Sequence, residues 1–270
     1  MKIEEYAEQE LGLGRKVLQR NGIWWKELKT HYYIPLNRLR AFDRGESRPD
    51  RFRVLVGYEH LVSSPDQANS AYISMETNDK ESYSLENFKK KRRYCIRRGL
   101  DELEMRKMED FDEFLIEGYK LILVAYQRFD WPGSHQNILN RARFEKTLRR
   151  TFGLKGRYGY GAYYQGCLIG YLTVLEIEET VYVNQLITHT DYLRLYPSEA
   201  LLYSFTREAF SQEGVERVAF GPECAKESLN RFKEAMGFKR VKYPMYRWVN
   251  PLLKPAIRLT RYRHYLNQQF

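Results

Sequence analysis

The chain has only three cysteines among its 270 residues, and they stand far apart at Cys95, Cys167 and Cys224. None belongs to a Cys-x-x-Cys or histidine–cysteine cluster, so neither a zinc site nor a disulfide framework is indicated. No apolar run approaches the roughly 20 residues that a membrane-spanning helix needs. The first six residues are acidic and lack the apolar core of a secretory signal. We therefore expect a soluble, cytoplasmic protein without a metal site.

The sequence also lacks internal repeats and low-complexity tracts, whereas positive charge is in excess. It has 45 Lys and Arg against 35 Asp and Glu, which gives a formal net charge of +10 and a pI of about 9.3. Such a balance suits an anionic partner such as a nucleotide, a phospholipid or a nucleic acid. The length is sufficient for a substantial core in one large domain or two small ones.

The N-terminal part is rich in aromatic residues. A helix is predicted over residues 2–20, with Gly12 and Gly14 weakening its middle. Short segments of aromatic and β-branched residues then predict strands at 22–26, 31–36, 52–58 and 71–76. We expect this β-rich part to extend the sheet of the second half of the chain.

A strongly basic segment follows. Residues 84–98 predict a helix with seven lysines and arginines, which Gly99 would end, and 100–108 alternate as a strand. Two more helices are predicted at 110–126 and 137–152, the second again basic. The basic run has two interpretations that the sequence leaves open, a solvated helix face and a site for a nucleotide or phosphate.

The second half predicts a strand meander followed by a crossover unit. Residues 158–164 and 167–177 form a hairpin around Gln165-Gly166. The further elements are a strand at 180–188, a helix at 198–212, a strand at 215–220, a helix at 226–236, a strand at 240–248 and a basic tail helix at 251–268. Gly237 takes the position that follows a helix C-terminus, and the strands on either side of the helix at 198–212 are expected to lie parallel.

This element order resembles the GNAT acyltransferase fold. The segment Leu229-Asn-Arg-Phe-Lys-Glu-Ala-Met-Gly-Phe238 is similar to the last helix of that fold, which commonly ends in a Leu-Gly-Phe-like turn. The resemblance is closer to the Fem-type (FemAB-like) branch, aminoacyl and acyl transferases whose closing helix often reads Phe-Lys-x-x-Phe-Gly-Phe. It covers about residues 84–250.

The resemblance implies a fold, a domain organisation and an activity. The fold would be α/β (α+β), a GNAT-like mixed and mostly antiparallel central sheet flanked by helices. Residues 84–250 would form the acyltransferase domain, 1–83 a β-rich extension that is the remnant of a first GNAT lobe, and 251–270 a basic C-terminal helix. The activity would be N-acyl transfer from acetyl-CoA or another acyl-CoA, or aminoacyl transfer from tRNA, to an amine of a small molecule, peptide or sugar.

The donor would lie at the start of the helix that follows the central strand. Backbone N–H groups and the helix dipole bind the CoA pyrophosphate there in ordinary GNAT enzymes, which carry a Gln/Arg-x-x-Gly-x-Gly/Ala pattern. This chain has no glycine between Asp191 and Glu199, so close approach of the backbone to a phosphate is harder. The implied donor contacts are Gln185, Leu186, Ile187, Thr188, Arg194, Tyr196 and Ser198. Packing and sheet pairing are the alternative roles of Tyr196 and Gln185.

Lys233 is the candidate catalytic residue that the resemblance implies. Aligning the Gly237-Phe238 turn with the family's terminal turn puts Lys233 where many GNAT enzymes have a tyrosine that protonates the leaving thiolate. A lysine can donate that proton or neutralise a developing oxyanion, and partial burial would lower its pKa. Asn230, one turn earlier, would orient the substrate. The alternative for Lys233 is a surface position on an amphipathic helix.

No general base is identified. Three glutamates lie near strand ends and two histidines in or beside loops: Glu176, Glu178, Glu223, His135 and His189. Cys167 and Cys224 have no partner histidine, which favours a buried structural role.

Other functions stay open beside the enzyme. A non-catalytic GNAT-like protein would bind nucleic acid or another polyanion through the basic helices at 89–98 and 141–150, with tyrosines as stacking platforms. The basic tail would dock on the protein or contact a membrane surface peripherally. No motif in the sequence predicts the acceptor or the oligomeric state.

Overall fold

The computed structural model describes residues 1–49, 54–128, 139–253 and 255. The α-helices are α1 (Ile3–Gly12), α2 (Lys90–Glu102), α3 (Phe111–Glu113), α4 (Tyr119–Arg128), α5 (Arg141–Thr151), α6 (Pro197–Ser211) and α7 (Glu227–Ala235). The strands are β1 (Val17–Arg20), β2 (Ile23–Lys29), β3 (Tyr32–Pro35), β4 (Ala41–Phe42), β5 (Gly57–Val62), β6 (Ser70–Thr77), β7 (Glu104–Met108), β8 (Arg157–Tyr164), β9 (Cys167–Ile177), β10 (Thr180–Thr188), β11 (Arg217–Pro222) and β12 (Lys239–Val249). Within the described ranges, no helix combines the length and the apolar character that crossing a membrane requires.

The described chain divides into two compact units. The terminal unit comprises Met1–Ser74 and the described residues from Arg240 onward, and the central unit comprises Met75–Lys239. The terminal unit therefore contains both ends of the described chain. The interpretation of residues 1–83 as a remnant lobe stays a prediction.

The terminal unit is built on a sheet with the order β1-β2-β3-β5-β12, and β4 pairs with β5. Its core is aromatic, with Trp25 fully buried among side chains that include Tyr33 and Tyr58. The strands predicted at 22–26, 31–36 and 71–76 are confirmed. The helix predicted over 2–20 is wrong beyond Gly12, because Gly14 takes a left-handed φ of 72° and the chain continues into β1.

A buried ion network joins distant parts of the terminal unit. The Glu59 carboxylate accepts hydrogen bonds from the Tyr32 hydroxyl at 2.7 Å, from Arg38 at 2.8 Å and from Nε of Arg247 at 2.9 Å. Glu59 is only 5% exposed. The carboxylate is therefore compensated by two cations and a hydroxyl, as a buried charge has to be.

The central unit has the strand order β11-β10-β9-β8-β7. β10 and β11 are parallel, and the other neighbours are antiparallel, as the sequence predicts. The β8–β9 hairpin turns at Gln165 and Gly166, which both have positive φ, the combination that two-residue hairpins favour. α6 packs against the sheet with Leu201, Phe205 and Ala209 fully buried. The hairpin, the crossover unit and the closing helix are confirmed.

The basic helix α2 runs past the glycine that was expected to end it. Gly99 is buried inside α2, and a Cβ atom there would lie 2.6 Å from Cβ of Ala200 and 3.1 Å from the carbonyl oxygens of Leu195 and Tyr196. The glycine therefore permits α2 to pack closely on the start of α6, and the following strand begins at Glu104 rather than at residue 100.

The two helices predicted after β7 are confirmed. The first extends two residues beyond its predicted end, to Arg128, and the second is shorter than predicted. α3 is capped by the Asp110 carboxylate, which accepts from the Glu113 amide at 3.0 Å, and it continues through a π-helical segment, Phe114–Gly118, into α4. The second of the predicted helices is α5. Most of the predicted tail helix lies outside the described residues, as does His135, and Pro251–Leu253 forms a 3-10 turn.

Candidate active site

The central unit has a break in its parallel strand pairing. β10 and β11 pair over three positions, Thr180 with Arg217, Val181 with Val218 and Tyr182 with Ala219. Beyond Tyr182, β10 continues to Thr188 paired with β9 on its other side, after an irregularity between Val183 and Gln185. The two strands therefore part at their C-terminal ends, and backbone groups there are available to a ligand that lies along a strand.

The predicted donor residues lie on or after the separated part of β10. The side chains of Gln185 and Arg194 are exposed. Those of Leu186 and Ile187 pack against two different hydrophobic clusters, so only their backbone would meet a donor. Thr188 is buried, with its hydroxyl 3.2 Å from that of Ser198. The structure thus joins Thr188 and Ser198 directly.

A tight turn connects β10 to α6. Residues Thr190–Leu195 form a 3-10 turn, and Nδ1 of His189 accepts from the Asp191 amide at its start. Tyr196 then adopts left-handed backbone angles, with φ of 54° and ψ of 45°, at the N-cap of α6. Pro197 follows at the first helical position, where it supplies no N–H group. His189 thus has a capping role.

The N-terminus of α6 already has a negatively charged residue. Glu199 lies in the first turn and pairs with Arg92 of α2 at 2.5 Å. A carboxylate there offsets the positive end of the helix dipole. The missing proline N–H and this carboxylate make the helix end less suited to a pyrophosphate than the glycine-containing loop of ordinary GNAT enzymes.

α2 carries a basic surface beside the same turn. The Tyr94 side chain is 54% exposed, and its ring meets the Tyr196 ring edge-on with 6.2 Å between the centroids. Arg98 donates to the Tyr94 hydroxyl at 3.1 Å. A shallow surface groove runs along this face, lined by Lys90, Arg93, Tyr94, Arg97, Arg98, Asp101 and Glu102. α2 and the turn between β10 and α6 are therefore neighbours, which no pattern in the sequence predicts.

Lys233 is a buried cation at the end of β11. It is 6% exposed, and its Nζ donates to the carbonyl oxygens of Phe220 at 2.7 Å and Pro222 at 3.1 Å. Its third neighbour is Sγ of Cys224 at 3.5 Å. Burial lowers the pKa of the Lys233 ammonium, and the Cys224 side chain opposes this shift. Burial on the inner face of α7 excludes the alternative of an ordinary surface lysine.

Asn230 fixes the loop that follows β11. Its Oδ1 accepts from the Cys224 amide and its Nδ2 donates to the Cys224 carbonyl, both at 2.8 Å, and Nδ2 also reaches Glu227 at 3.1 Å. The amide group of Asn230 is thus engaged by protein atoms. The residue is placed to position the loop, and a direct substrate contact by Asn230 stays a prediction.

Sequence reasoning missed the proximity of Cys224 to Lys233. Cys224 is partly exposed rather than buried, Cys167 is exposed, and Cys95 is buried. Of the glutamates near strand ends, Glu176 accepts from the Tyr158 hydroxyl at 2.6 Å. No group of three His, Cys, Asp or Glu side chains in the described part of the chain is arranged to hold a metal ion.

The comparisons with known proteins give a fold. No protein-family model and no curated protein matches the sequence. Among solved structures, FemX is similar with a TM-score of 0.65 and 9% identity, over 96% of this chain and 93% of that one. A conserved protein of unknown function from Bacteroides thetaiotaomicron VPI-5482 has a TM-score of 0.58 and 14% identity, over 89% and 88% of the two chains.

A third similar structure is the C-terminal domain (DUF2156) of a protein described as a lysylphosphatidylglycerol synthetase from Agrobacterium fabrum. Its TM-score is 0.55 with 11% identity, and the match covers 90% of this chain and 88% of that domain. At such identities the similarity concerns the fold alone. The predicted GNAT-like fold, a mixed and mostly antiparallel sheet flanked by helices, is confirmed, and the chain shares this fold with FemX.

Proposed function

We propose, from a GNAT-like fold of the Fem-type branch, that this protein transfers an acyl or aminoacyl group to an amine acceptor by direct attack of the amine. One observation carries the proposal. The Lys233 ammonium is held by the carbonyl oxygens of Phe220 and Pro222. Phe220 follows directly on Ala219, the last residue of β11 that pairs with β10, and Pro222 lies two residues further on. A buried cation therefore lies at the point where the two strands part.

The proposed step uses positioning and charge rather than a covalent intermediate. The backbone of β10 beyond Tyr182 orients the donor and its acyl carbonyl. The acceptor amine attacks that carbonyl, and the charge of Lys233 neutralises the developing oxyanion, or its ammonium protonates the leaving group with the N–H that otherwise faces Sγ of Cys224. A lowered pKa makes the Lys233 ammonium a better proton donor near neutral pH.

The donor that the surface favours is aminoacyl-tRNA, with acyl-CoA as the second choice. The start of α6 carries Pro197 and the paired Glu199 where a CoA pyrophosphate would need N–H groups. The neighbouring face of α2 instead offers cations and the exposed ring of Tyr94, which suit a longer polyanion. The acceptor is an amine of a small molecule, peptide or sugar.

A two-part experiment tests this function. The full chain is first heated with bulk tRNA, acetyl-CoA or longer acyl-CoAs, because a ligand that binds the folded state raises the melting temperature. It is then incubated with a panel of amines and either bulk aminoacyl-tRNA or an acyl-CoA, and transfer of the labelled amino acid or acyl group is measured. We expect a salt-sensitive shift with tRNA and transfer to an amine. A shift with an acyl-CoA alone would identify acyl-CoA as the donor. Absence of transfer from both donors would contradict the proposal that the protein is an enzyme.

A non-catalytic protein that binds polyanions is the second candidate. The observation that favours it is the basic groove of α2, which needs no chemistry to bind a phosphate backbone. Binding of tRNA that weakens with salt, together with no transfer to any amine, would support this function.

A further inference from the structure

The loop after β11 brings a thiol and an amine together. Sγ of Cys224 lies 3.5 Å from Nζ of Lys233, nine residues later in the chain. Asn230 makes two hydrogen bonds to the Cys224 backbone and so holds the cysteine over α7. Lys233 lies on the same helix, three residues after Asn230. The contact is therefore set by a clamp on the main chain and does not depend on a flexible loop.

The surroundings of the nitrogen direct its reactivity. A tetrahedral amine nitrogen has three directions besides its own carbon, and here two face the carbonyl oxygens of Phe220 and Pro222 while the third faces the sulfur. When the amine is neutral, its two hydrogens bond to the carbonyls and its lone pair points at the sulfur. Burial, which lowers the pKa of Lys233, increases the neutral fraction.

The sulfur is accessible where the nitrogen is not. Cys224 is partly exposed, whereas Lys233 is 6% exposed. A small oxidant can therefore reach the thiol, while the oxidised sulfur has a nucleophile in contact on its inner side. Oxidised thiols condense with nearby thiols or nitrogens, and in the described structure no second cysteine contacts Cys224.

We propose that Cys224 and Lys233 form a peroxide-sensitive pair that closes into a sulfur–nitrogen cross-link. Hydrogen peroxide oxidises the thiol to a sulfenic acid and is itself reduced to water. The Lys233 amine then attacks the sulfur, the S–O bond breaks, and a second water leaves with one amine proton. The protein loses two hydrogen atoms in all. Two equivalents of an added thiol restore Cys–SH and the amine and become a disulfide.

The cross-link would consume the amine of the residue to which we assign the charge-stabilising role. Oxidation would then stop acyl transfer and a thiol would restart it. This consequence rests on the proposed function, whereas formation of the bond does not. The bond also leaves the nitrogen with one hydrogen instead of two, so one of the two carbonyl oxygens loses its donor.

Mass spectrometry of the full chain tests the bond without an activity assay. Treatment with hydrogen peroxide is expected to lower the intact mass by about 2 Da, reversed by dithiothreitol. Trypsin cuts after Lys226 and Arg231, which lie between the two residues. If the two residues are cross-linked, the peptide that contains Cys224 and the peptide that contains Lys233 are detected as one species before reduction and as two after it.

Matched variants assign the partners. Cys224→Ser should lose the shift, and Cys167→Ser, which removes an exposed thiol with no hydrogen-bonded amine in the described chain, should keep it. Lys233→Arg keeps a cation that is not a nucleophile, and its Cys224 should add about 16 Da and react with dimedone. Circular dichroism confirms that each variant is folded. The proposal is overturned if wild-type Cys224 only gains oxygen, or if Cys224→Ser still loses the two hydrogens. If Lys233→Arg does not fold, the tryptic peptides of the wild-type protein still show whether Cys224 is linked to Lys233.

Discussion

At the scale of single residues, Lys233 has a packing role beside the chemical role that we propose for it. Its ammonium satisfies two main-chain carbonyls at the end of β11, and its stem runs through the buried face of α7. Any substitution there removes hydrogen bonds as well as a charge, so stability has to be measured beside turnover. An unpaired buried carbonyl costs about 1–3 kcal/mol.

Replacing Lys233 by methionine should reduce kcat by about 100-fold or more and change donor binding much less, because the charge is needed when the oxyanion develops. The measurement is kcat and KM for amine transfer in folded variants. Arg231→Met is the matched control, since Arg231 is exposed on the same helix. Equal kcat in Lys233→Met and the wild type would remove Lys233 from the mechanism.

His60 makes the stability of the terminal unit depend on pH. It is 2% exposed, its Nδ1 donates to the Leu61 carbonyl at 2.9 Å, and Nε2 has no partner in the described chain. Burial lowers the pKa of His60, and the Leu61 carbonyl opposes that shift. The folded state therefore keeps His60 neutral where the unfolded chain takes up a proton.

As the pH falls below the ordinary histidine value of 6.5, the unfolded state gains protons first and the free energy of unfolding decreases. The loss continues until the pH reaches the lower pKa of the folded state. His60→Phe should flatten this part of the curve, measured by urea unfolding at about pH 7.5 and about pH 5.5. His189→Asn, which keeps a capping side chain, should retain the wild-type slope. An unchanged slope in His60→Phe would contradict the assignment.

At the scale of elements, the close contact between α2 and α6 depends on Gly99, which has no side chain. Gly99→Ala improves helix propensity but places Cβ within 2.6 Å of Cβ of Ala200. We expect the overpacking to dominate and to destabilise the protein by about 1–3 kcal/mol. Gly12→Ala is the control, because no atom lies within 4 Å of its added Cβ. Urea unfolding that shows Gly99→Ala as stable as the wild type would refute the packing role.

Elements that are marked by their own residues could be predicted from the sequence. Examples are the hairpin at Gln165-Gly166, the strand 180–188 and the end of the helix at Gly237. Gly99 was misassigned because a glycine that ends a helix and one that admits a neighbouring helix look alike until the neighbour is known. The early end of α1 was missed for a related reason, as β1 is defined by its pairing with β2.

The candidate site could be predicted only in part. Lys233 was found through the closing-helix motif, and its burial agrees with the expected lowering of the pKa. Its contact with Cys224 and the clamp by Asn230 depend on how a loop folds back over a helix, which no spacing encodes. The proximity of α2 to the start of α6 follows from packing between segments 107 residues apart, which no local pattern encodes.

At the scale of the whole molecule, the division into two units predicts that a destabilising substitution in one unit increases hydrogen exchange in that unit alone. Glu59→Gln removes the negative charge that pairs with Arg247, whose side chain is 9% exposed. Breaking a buried pair from one side costs about 3–5 kcal/mol. Hydrogen exchange should accelerate in β5 and β12 and remain unchanged in β8 and β9. Glu104→Gln, on an exposed carboxylate of β7, should leave both units unchanged. Equal acceleration in both units would show that they unfold together.

The pairing of β5 with β12 has a consequence for synthesis on the ribosome. Residues 57–61 of β5 pair with residues 245–249 of β12, so β5 has to wait for a strand that is translated more than 180 residues later. The central unit, by contrast, is contiguous from Met75 to Lys239 and is fully translated earlier. Domains usually fold from the N-terminus onward during translation. Here the terminal unit is completed only after the central unit, although β1 to β5 precede the central unit in the chain. β5 is therefore without its β12 partner throughout the synthesis of the central unit.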